Sequence, residues 1–439
     1  MVVSFKISGT MKVRCLSRNI SYMKVLKTMS LVILLTLLFL AVFDGAVQRK
    51  FTEGVRTFFQ ATPTNVRIRV TKETRVTSPE NSTTGLEDLR ARLNQLGFEP
   101  VEDHEFKSPL IINPWNVRGI RNETGSPKII SSFNSPHWFK TAFTNSSRNE
   151  FTECEYSNCE MDFTGKKKES ADVLLFFVGY LNSAPPARPP GQIWVKIMWE
   201  SPINYGYPGQ YEPWRSVFNW TISYRVDADV FAPIHLMAWR DSRLLLSDES
   251  YLEIARNKTK MATWWVSHCG AESKRDEYVA QLKKHMPVDI YGSCGSLQCS
   301  KAACEEMLTT TYRFYLSFEN SFCKDYLTEK FYRNFMKRHH VIPVARGGFD
   351  YGKHLPQGGF VDASKFPNAA ELAKFLIQLG NDHARYATML KEKDRLAALS
   401  EKLYWCDLCK KVHTNNETKM IPDIKEWSHG NTCHAPTDM

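Results

Sequence analysis

Hydrophobic positions in this chain fall into short unbroken runs, separated by polar loops and by stretches with helical spacing. Ala171–Val178 reads as a continuous apolar run and Ile193–Trp199 as another buried strand, while Thr263–Ser267, Val288–Tyr291, Phe314–Phe318 and Val341–Val344 are shorter apolar-rich stretches that also read as strands. Runs of this length without alternation predict strands covered on both faces. Between them the spacing lengthens to that of helices. Arg275–His285 turns Tyr278, Val279 and Leu282 to one side, and the stretch from Thr328 does the same with Phe331, Tyr332 and Phe335. Helices are also predicted over Ala369–Leu379 and His383–Leu399. Strand and helix alternate, so the expected fold class is α/β with parallel, doubly wound sheets. A charged helical stretch at Tyr251–Lys260 divides the body into two halves, and the first half opens on a short strand at Leu110–Trp115.

The N-terminus carries a different pattern. Residues 1–27 hold Lys6, Lys12, Arg14, Arg18, Lys24 and Lys27 and no acid. Thr28–Phe43 is uncharged and apolar, and Asp44–Val47 extends it. A basic flank before one apolar run predicts an uncleaved transmembrane signal-anchor over 28–47. A cleaved signal peptide would have a shorter flank and no Asp44 near the cut. The positive-inside rule then places 1–27 in the cytosol and the rest in a lumen. Residues 48–105, rich in Thr, Arg and Glu, read as a stem with one short helix at Leu86–Leu96.

Composition narrows the class. The 439 residues are 43% hydrophobic with a net charge of +10, which suits folded domains and anionic substrates. The bases are scattered among acids, without the basic stripe and stacking aromatics of a nucleic-acid groove. Ten cysteines lie beyond the anchor, an even number, which reads as disulfides in an oxidising lumen. Cys154 with Cys159, and Cys406 with Cys409, are the local pairs, with connectivity left open. Cys406-x-x-Cys409 with His413, His429 and Cys433 fits no standard zinc spacing. Acceptor motifs for N-glycosylation stand at Asn81, Asn122, Asn145, Asn257 and Asn416; a further one at Asn219 lies in an aromatic run and is expected to be buried and unmodified.

Candidate chemistry gathers at the ends of strands. Glu200 closes the run Ile193–Trp199, at the edge where open α/β sheets bind ligands. The alternative is a strand-end glutamate in water. Phe314–Phe318 runs into the polar loop Glu319-Asn-Ser321 and then the helix from Thr328, which places Asn320, Lys324, Tyr326, Glu329 and Lys330 beside a helix start. Asp227-x-Asp229 is a weak candidate for a divalent cation, with local pairing to Arg225 as the alternative. Nucleophile elbows, P-loops and Gly-x-Gly-x-x-Gly do not occur.

Taken together, Phe314-Tyr-Leu-Ser-Phe-Glu-Asn-Ser321 followed by Lys324-Asp-Tyr-Leu-Thr-Glu-Lys330 resembles the donor-site signature of the α-1,3-fucosyltransferase family of Golgi type II membrane enzymes, glycosyltransferase family 10. Trp199-Glu-Ser-Pro202, Phe218-Asn-Trp-Thr221, Tyr224-Arg225, Ser267, Arg275 and Tyr291-Gly-Ser-Cys-Gly295 fall in the family's order, and the likeness covers roughly 110–405. The resemblance implies a GT-B architecture of two Rossmann-like domains across a cleft. Residues 106–258 would take the acceptor, 259–405 would take GDP-fucose, and 406–439 would form a Cys-containing tail. It implies Glu200 as the catalytic base. Arg275 and Lys330 would sit on the diphosphate, and Ser267, Tyr315, Asn320, Tyr326 and Glu329 would be further donor contacts. The chemistry needs no cofactor, with a divalent cation such as manganese at most stimulatory. The expected partners are GDP-fucose, a glycan acceptor on a glycoprotein, the Golgi membrane, and a second copy through the stem or membrane segment.

The chain departs from the family at His268, where Asn is usual, at Phe322-Cys323 inside the signature, and at Gly347-Gly-Phe349. The cysteine pattern looks more like that of the invertebrate and plant enzymes that fucosylate the Asn-linked GlcNAc of N-glycan cores. Lewis-type or LacdiNAc antennal fucosylation is the alternative within the class, and an inactive, lectin-like Golgi relative is the alternative outside it.

Overall fold

The computed structural model describes residues 108–439, except 113–124, 138, 141–150, 152–153, 182–183, 206–207, 400–401 and 416–418. The predicted anchor, the stem and the acceptor motifs at Asn81, Asn122, Asn145 and Asn416 lie outside the described residues. Among the described residues no helix is long and apolar enough to cross a membrane. All of them belong to one compact unit, Glu80–Met439.

Two parallel sheets carry the body. The first is built from β1 (Lys128–Ser132), β2 (Cys159–Asp162), β3 (Val173–Phe177), β4 (Ile193–Met198), β5 (Trp220–Ser223) and β6 (Val230–Phe231), in the order β2-β1-β3-β4-β5-β6. All five residues of β3 are buried. After β7 (Leu236–Trp239) the second sheet follows, from β8 (Lys260–Trp265), β9 (Val288–Tyr291), β10 (Tyr312–Phe318), β11 (Ile342–Arg346) and β12 (Val361–Asp362), in the order β12-β11-β10-β8-β9. Every pairing in both sheets is parallel. The central strand β10 is buried along its whole length, as an unbroken apolar run requires.

The helices of the second half are α1 (Asp248–Asn257), α2 (Arg275–Leu282), α3 (Lys301–Thr310), α4 (Glu329–Met336), α5 (Tyr351–His354), α6 (Ala369–Asn381) and α7 (His383–Asp394). The stretch at Tyr251–Lys260, expected as a linker, is largely α1. Its Tyr251 and Ala255 are buried in the second core. The helix predicted over His383–Leu399 ends at Asp394. Leu396–Leu399 is instead a strand, β13, antiparallel to β7. Apolar spacing alone does not separate a last helical turn from a short buried strand.

The tail is no appendage. Its helices α8 (Tyr404–Thr414) and α9 (Ile424–His429) return to the first half. Trp405, Leu408 and Cys409 enter the core under β1–β5, and Ile421 and Ile424 join a cluster with Trp194 and Trp214. The local disulfides do not form. Cys154 is bonded to Cys406 and Cys159 to Cys409. Cys406 and Cys409 are three apart on α8, so both sulfurs leave one helical face toward the loop before β2 and the start of β2. Cys269–Cys294, Cys299–Cys304 and Cys323–Cys433 complete the set among the described residues. Asn219, expected to be buried, is only half-buried, although its side chain is engaged at both ends. Its Oδ1 accepts from Trp194 N–H and its Nδ2 donates to Lys419 O, both at 2.8 Å. Asn257 is exposed at the end of α1.

Candidate active site

The C-terminal ends of β4 and β10 face each other, and polar groups from the two halves meet there. Glu200 follows β4. Its Oε1 accepts from Ser201 N–H at 2.8 Å and Asn204 Nδ2 at 3.1 Å on its own loop. From the loop after β10 come Asn320 Nδ2, at 3.4 Å, and the Tyr326 hydroxyl, which donates to the same oxygen. Burial, then the charge of Glu200, push the Tyr326 pKa upward, so the phenol stays a donor. Ser201 Oγ meets Ser321 Oγ at 2.8 Å. Behind Glu200, the Tyr205 hydroxyl accepts from Trp199 N–H at 3.3 Å and Glu200 N–H at 3.2 Å. Glu200 is therefore held by both halves and is not a free strand-end carboxylate.

Beside this junction the second half opens into a cavity of about 410 Å³. Ser267, Arg275, Tyr315, Asn320, Glu329 and Lys330 all line it. Tyr326, expected with them, points to Glu200 instead. Gly292, also on the wall, has φ +98° and lies so close to Val266 that a Cβ would fall 2.4 Å from Val266 O.

The cations of the cavity differ in kind. Arg275 is the first residue of α2 and is buried. Its Nη1 donates to Phe318 O at 3.0 Å and Nη2 to His268 O at 2.8 Å, while Nε has no hydrogen-bond partner among the described residues. It ties the end of β10 to the loop after β8 and offers mostly its charge. Lys330 donates to Thr328 Oγ1 at 2.8 Å and pairs with Glu329 at 3.2 Å and Glu319 at 3.3 Å. Burial alone would lower its pKa, but Glu319 and Glu329 outweigh that, raise it and keep the ammonium charged. At Glu329 burial works against ionisation; the charge and hydrogen bond of Lys330 prevail and hold its pKa below the usual range.

Two participants escaped the sequence reading. Glu319 looked like the start of a polar loop but is fully buried. It accepts from Thr328 N–H at 2.9 Å and from Thr328 Oγ1 at 2.7 Å, and so anchors the start of α4 beneath Lys330. Burial raises its pKa against the pull of Lys330. Arg333 also lines the cavity. Its Nη1 donates to Tyr315 OH at 3.2 Å and its guanidinium lies 5.1 Å from the Trp265 ring centre. Its position one turn after Lys330 on an amphipathic helix was the available signal.

Lys324 and Asp325, which could have been plain solvated loop, bridge to the first half. Lys324 pairs with Asp227 at 2.9 Å and Asp325 accepts from Val226 N–H at 3.1 Å. The weak cation site is not assembled. Asp227 is engaged by Arg225 at 2.6 Å and by Lys324, and Asp229 by Thr221 and by Lys419 at 2.9 Å. Each carboxylate already has its own cation, so the pair does not fit a shared metal ion. Cys159, Cys409 and His413 also converge, but the two sulfurs are bonded to each other.

Comparison with known proteins matches the chain to both parts of one family. The description "Fucosyltransferase, N-terminal" covers residues 126–235, and "Glycosyltransferase family 10 (fucosyltransferase) C-term" covers 255–427. Glycoprotein 3-alpha-L-fucosyltransferase A of Drosophila melanogaster is 31% identical over 355 residues, 77% of this chain and 64% of that protein. Alpha-(1,3)-fucosyltransferase C of the same organism is 33% identical over 301 residues, 63% of this chain and 69% of that protein. This chain thus spans about two thirds of the length of these relatives. Among solved structures, an alpha1,3-fucosyltransferase with GDP-fucose aligns with 69% of this chain and 95% of its own, at 19% identity and a TM-score of 0.47. The chain belongs to glycosyltransferase family 10, the fucosyltransferases.

Proposed function

We propose that this protein transfers L-fucose from GDP-β-L-fucose, with inversion, in α-1,3 linkage to GlcNAc of glycans, most specifically the Asn-linked GlcNAc of N-glycoprotein cores. The observation that carries this reading is the junction itself. A carboxylate from the first half, Glu200, is held by the same loop whose Asn320 lines the cationic cavity of the second half. In GT-B terms the acceptor lies over the first sheet and the nucleotide sugar in the cavity. Lys330 and Arg333 neutralise the diphosphate, with Arg275 adding charge from beneath. Glu329 accepts from sugar hydroxyls, and Ser267 and Tyr315 complete the wall. The acceptor hydroxyl attacks the anomeric carbon opposite GDP. Its proton passes to Glu200, the new C–O bond forms, and the bond to GDP breaks with both electrons leaving on the phosphate. One carboxylate suffices because the leaving group is stabilised by the cations. No step is routed through a metal, since Asp227 and Asp229 are occupied by Arg225, Lys324 and Lys419; a manganese effect would be stimulatory only.

The preference for N-glycan cores rests on the cysteine pattern and on the likeness to a relative named as a glycoprotein fucosyltransferase. The reading as a Golgi type II membrane protein rests on the basic flank and apolar run at 28–47, and disulfide bonding throughout the body fits an oxidising lumen. Pairing of two copies through the stem or membrane segment belongs to the same reading. The decisive experiment incubates the protein with GDP-fucose and a panel of N-glycan core glycopeptides, N-acetyllactosamine and LacdiNAc. Linkage is then read from the product. Fucose α-1,3 on the Asn-linked GlcNAc is expected. Transfer only to an antennal GlcNAc would select the Lewis or LacdiNAc reading, and no transfer to any acceptor would select the inactive relative.

A further inference from the structure

Residues 428–439 lie beyond the stretch that matches the family, which ends at 427, yet they fasten the loop that carries Asn320 and Tyr326. The path begins on the first half. Ile421 N–H donates to Phe218 O at 2.8 Å, and Pro422 O accepts from Ser216 N–H at 3.1 Å. On α9 the Trp427 ring meets two basic side chains, with Lys196 4.3 Å and Arg225 4.2 Å from its centre. Ser428 Oγ accepts from Nζ of the buried Lys196. The chain then crosses to the second half. Thr432 O accepts from Lys324 N–H at 2.6 Å and His434 N–H donates to Phe322 O at 2.9 Å. Between these bonds Cys433 is joined to Cys323, the two forming one antiparallel bridge. Finally Asp438 accepts from Nε and Nη2 of Arg346, each at 2.7 Å. Arg346 lies 4.2 Å from the Tyr278 ring centre and donates to Ser273 O at 2.9 Å, and Ser273 N–H donates to Asn320 O at 3.0 Å.

None of these strap residues contacts Glu200 in any bond described for it. What they share is the loop 320–326, gripped on the side of Cys323 and again, through Arg346 and Ser273, at Asn320. That loop supplies two of the donors on Glu200 Oε1, while Oε2 has no hydrogen bond among the described residues. We propose that residues 428–439 are a strap that positions Tyr326 and Asn320 so that they hold Glu200 Oε1 and leave Oε2 to the acceptor hydroxyl. The proposal rests on Glu200 as the base. Its physical content is preorganisation. The strap removes freedom from a loop that bridges two halves, so the carboxylate does not have to be aligned anew in each turnover. Strap residues are positioning residues, acting through Tyr326.

The test is a double-variant cycle on the full chain with Cys433→Ser, Tyr326→Phe and both together, measuring kcat and the KM for GDP-fucose. Cys433→Ser should lower kcat roughly tenfold and change the donor KM by less than about threefold, because the cavity cations sit on α2 and α4. Adding Tyr326→Phe to Cys433→Ser should cost no more than about twofold further, since both act on one contact. A kcat within about twofold of the parent, or full multiplication of the two losses, would overturn the strap. If Cys433→Ser does not fold, a variant lacking 434–439 keeps the disulfide and loses the His434 and Asp438 contacts. Faster hydrogen exchange at 320–326 together with lower kcat is then expected, and unchanged exchange there overturns the proposal. The underlying assignment fails separately: it falls if Glu200→Gln transfers fucose normally, whereas an inactive Glu200→Gln beside a fully active Cys433→Ser defeats the strap alone.

Discussion

Lys330 has two duties that pull in the same direction. It faces the cavity as a cation, and it is the only cation paired with the buried carboxylate of Glu319 among the described ion pairs. Lys330→Ala therefore removes a charge-assisted contact to a diphosphate, worth about 2 kcal/mol or roughly 30-fold in GDP affinity. It also leaves a buried charge without its partner, which should cost on the order of 3 kcal/mol of stability. Calorimetric titration with GDP and urea unfolding separate the two losses; unchanged GDP affinity would count against its place on the diphosphate. Arg333→Ala should weaken GDP binding by about 1 kcal/mol, roughly fivefold, and free the Tyr315 hydroxyl; equal affinity in the same titration would remove Arg333 from the site. Lys330 and Glu329 were legible from the residues themselves, as charged side chains beside a helix start, whereas Arg275 was reached only through the resemblance to the family. Glu319 was not, since a glutamate after an apolar run reads as solvent-facing until Thr328, nine residues on, is known to cap it. Tyr326 was expected as a contact of the donor, and only the approach of the two halves turns its hydroxyl to Glu200.

At the scale of elements, the unit β10–loop–α4 was largely readable. The apolar run became the fully buried strand Tyr312–Phe318, and the amphipathic face became the buried set Phe331, Tyr332 and Phe335. Local pattern carries such features because both faces of a central strand, and one face of a covering helix, must be apolar. The pairing of Leu396–Leu399 with β7 was not readable, because its partner lies far back in the chain. Nor was the crossing of the disulfides, which depends on α8 folding back over the first sheet. The loop Gly347-Gly348 shows how one element constrains another. A Cβ on Gly348 would lie 2.5 Å from Cys323 N and 2.6 Å from Cys323 O. Gly348→Ala should therefore push the 320–326 loop away and cost roughly 1–3 kcal/mol of stability, seen as a lower urea midpoint. A midpoint equal to that of the parent would mean that the two loops separate without strain.

For the whole molecule, the two halves are joined by more than the linker helix: the junction at Glu200, the Lys324–Asp227 pair and the returning tail all cross between them. Acid should probe the second half through His339, which is buried with its Nδ1 3.4 Å from Thr309 Oγ1. Burial, then the nearby Lys393, push its pKa down to about 4. Below pH ~6.5 the unfolded chain binds a proton there that the folded chain takes up only near pH ~4. Stability is thus complete above the higher value and falls between the two, by up to about 3 kcal/mol from this group. Urea midpoints from pH 7 to pH 4.5 should drop, and His339→Gln should flatten part of the drop; an identical slope would contradict that origin. The measurement that bears most directly on the account as a whole is fucosyl transfer and GDP binding by Glu200→Gln, which keeps the shape of the side chain and removes its basicity. Transfer should fall by at least about a thousandfold while GDP affinity stays within roughly threefold of the parent, because Glu200 lies outside the cationic cavity. Transfer at near the parent rate would contradict the account, for the carboxylate at the meeting of the two halves would then not be the base.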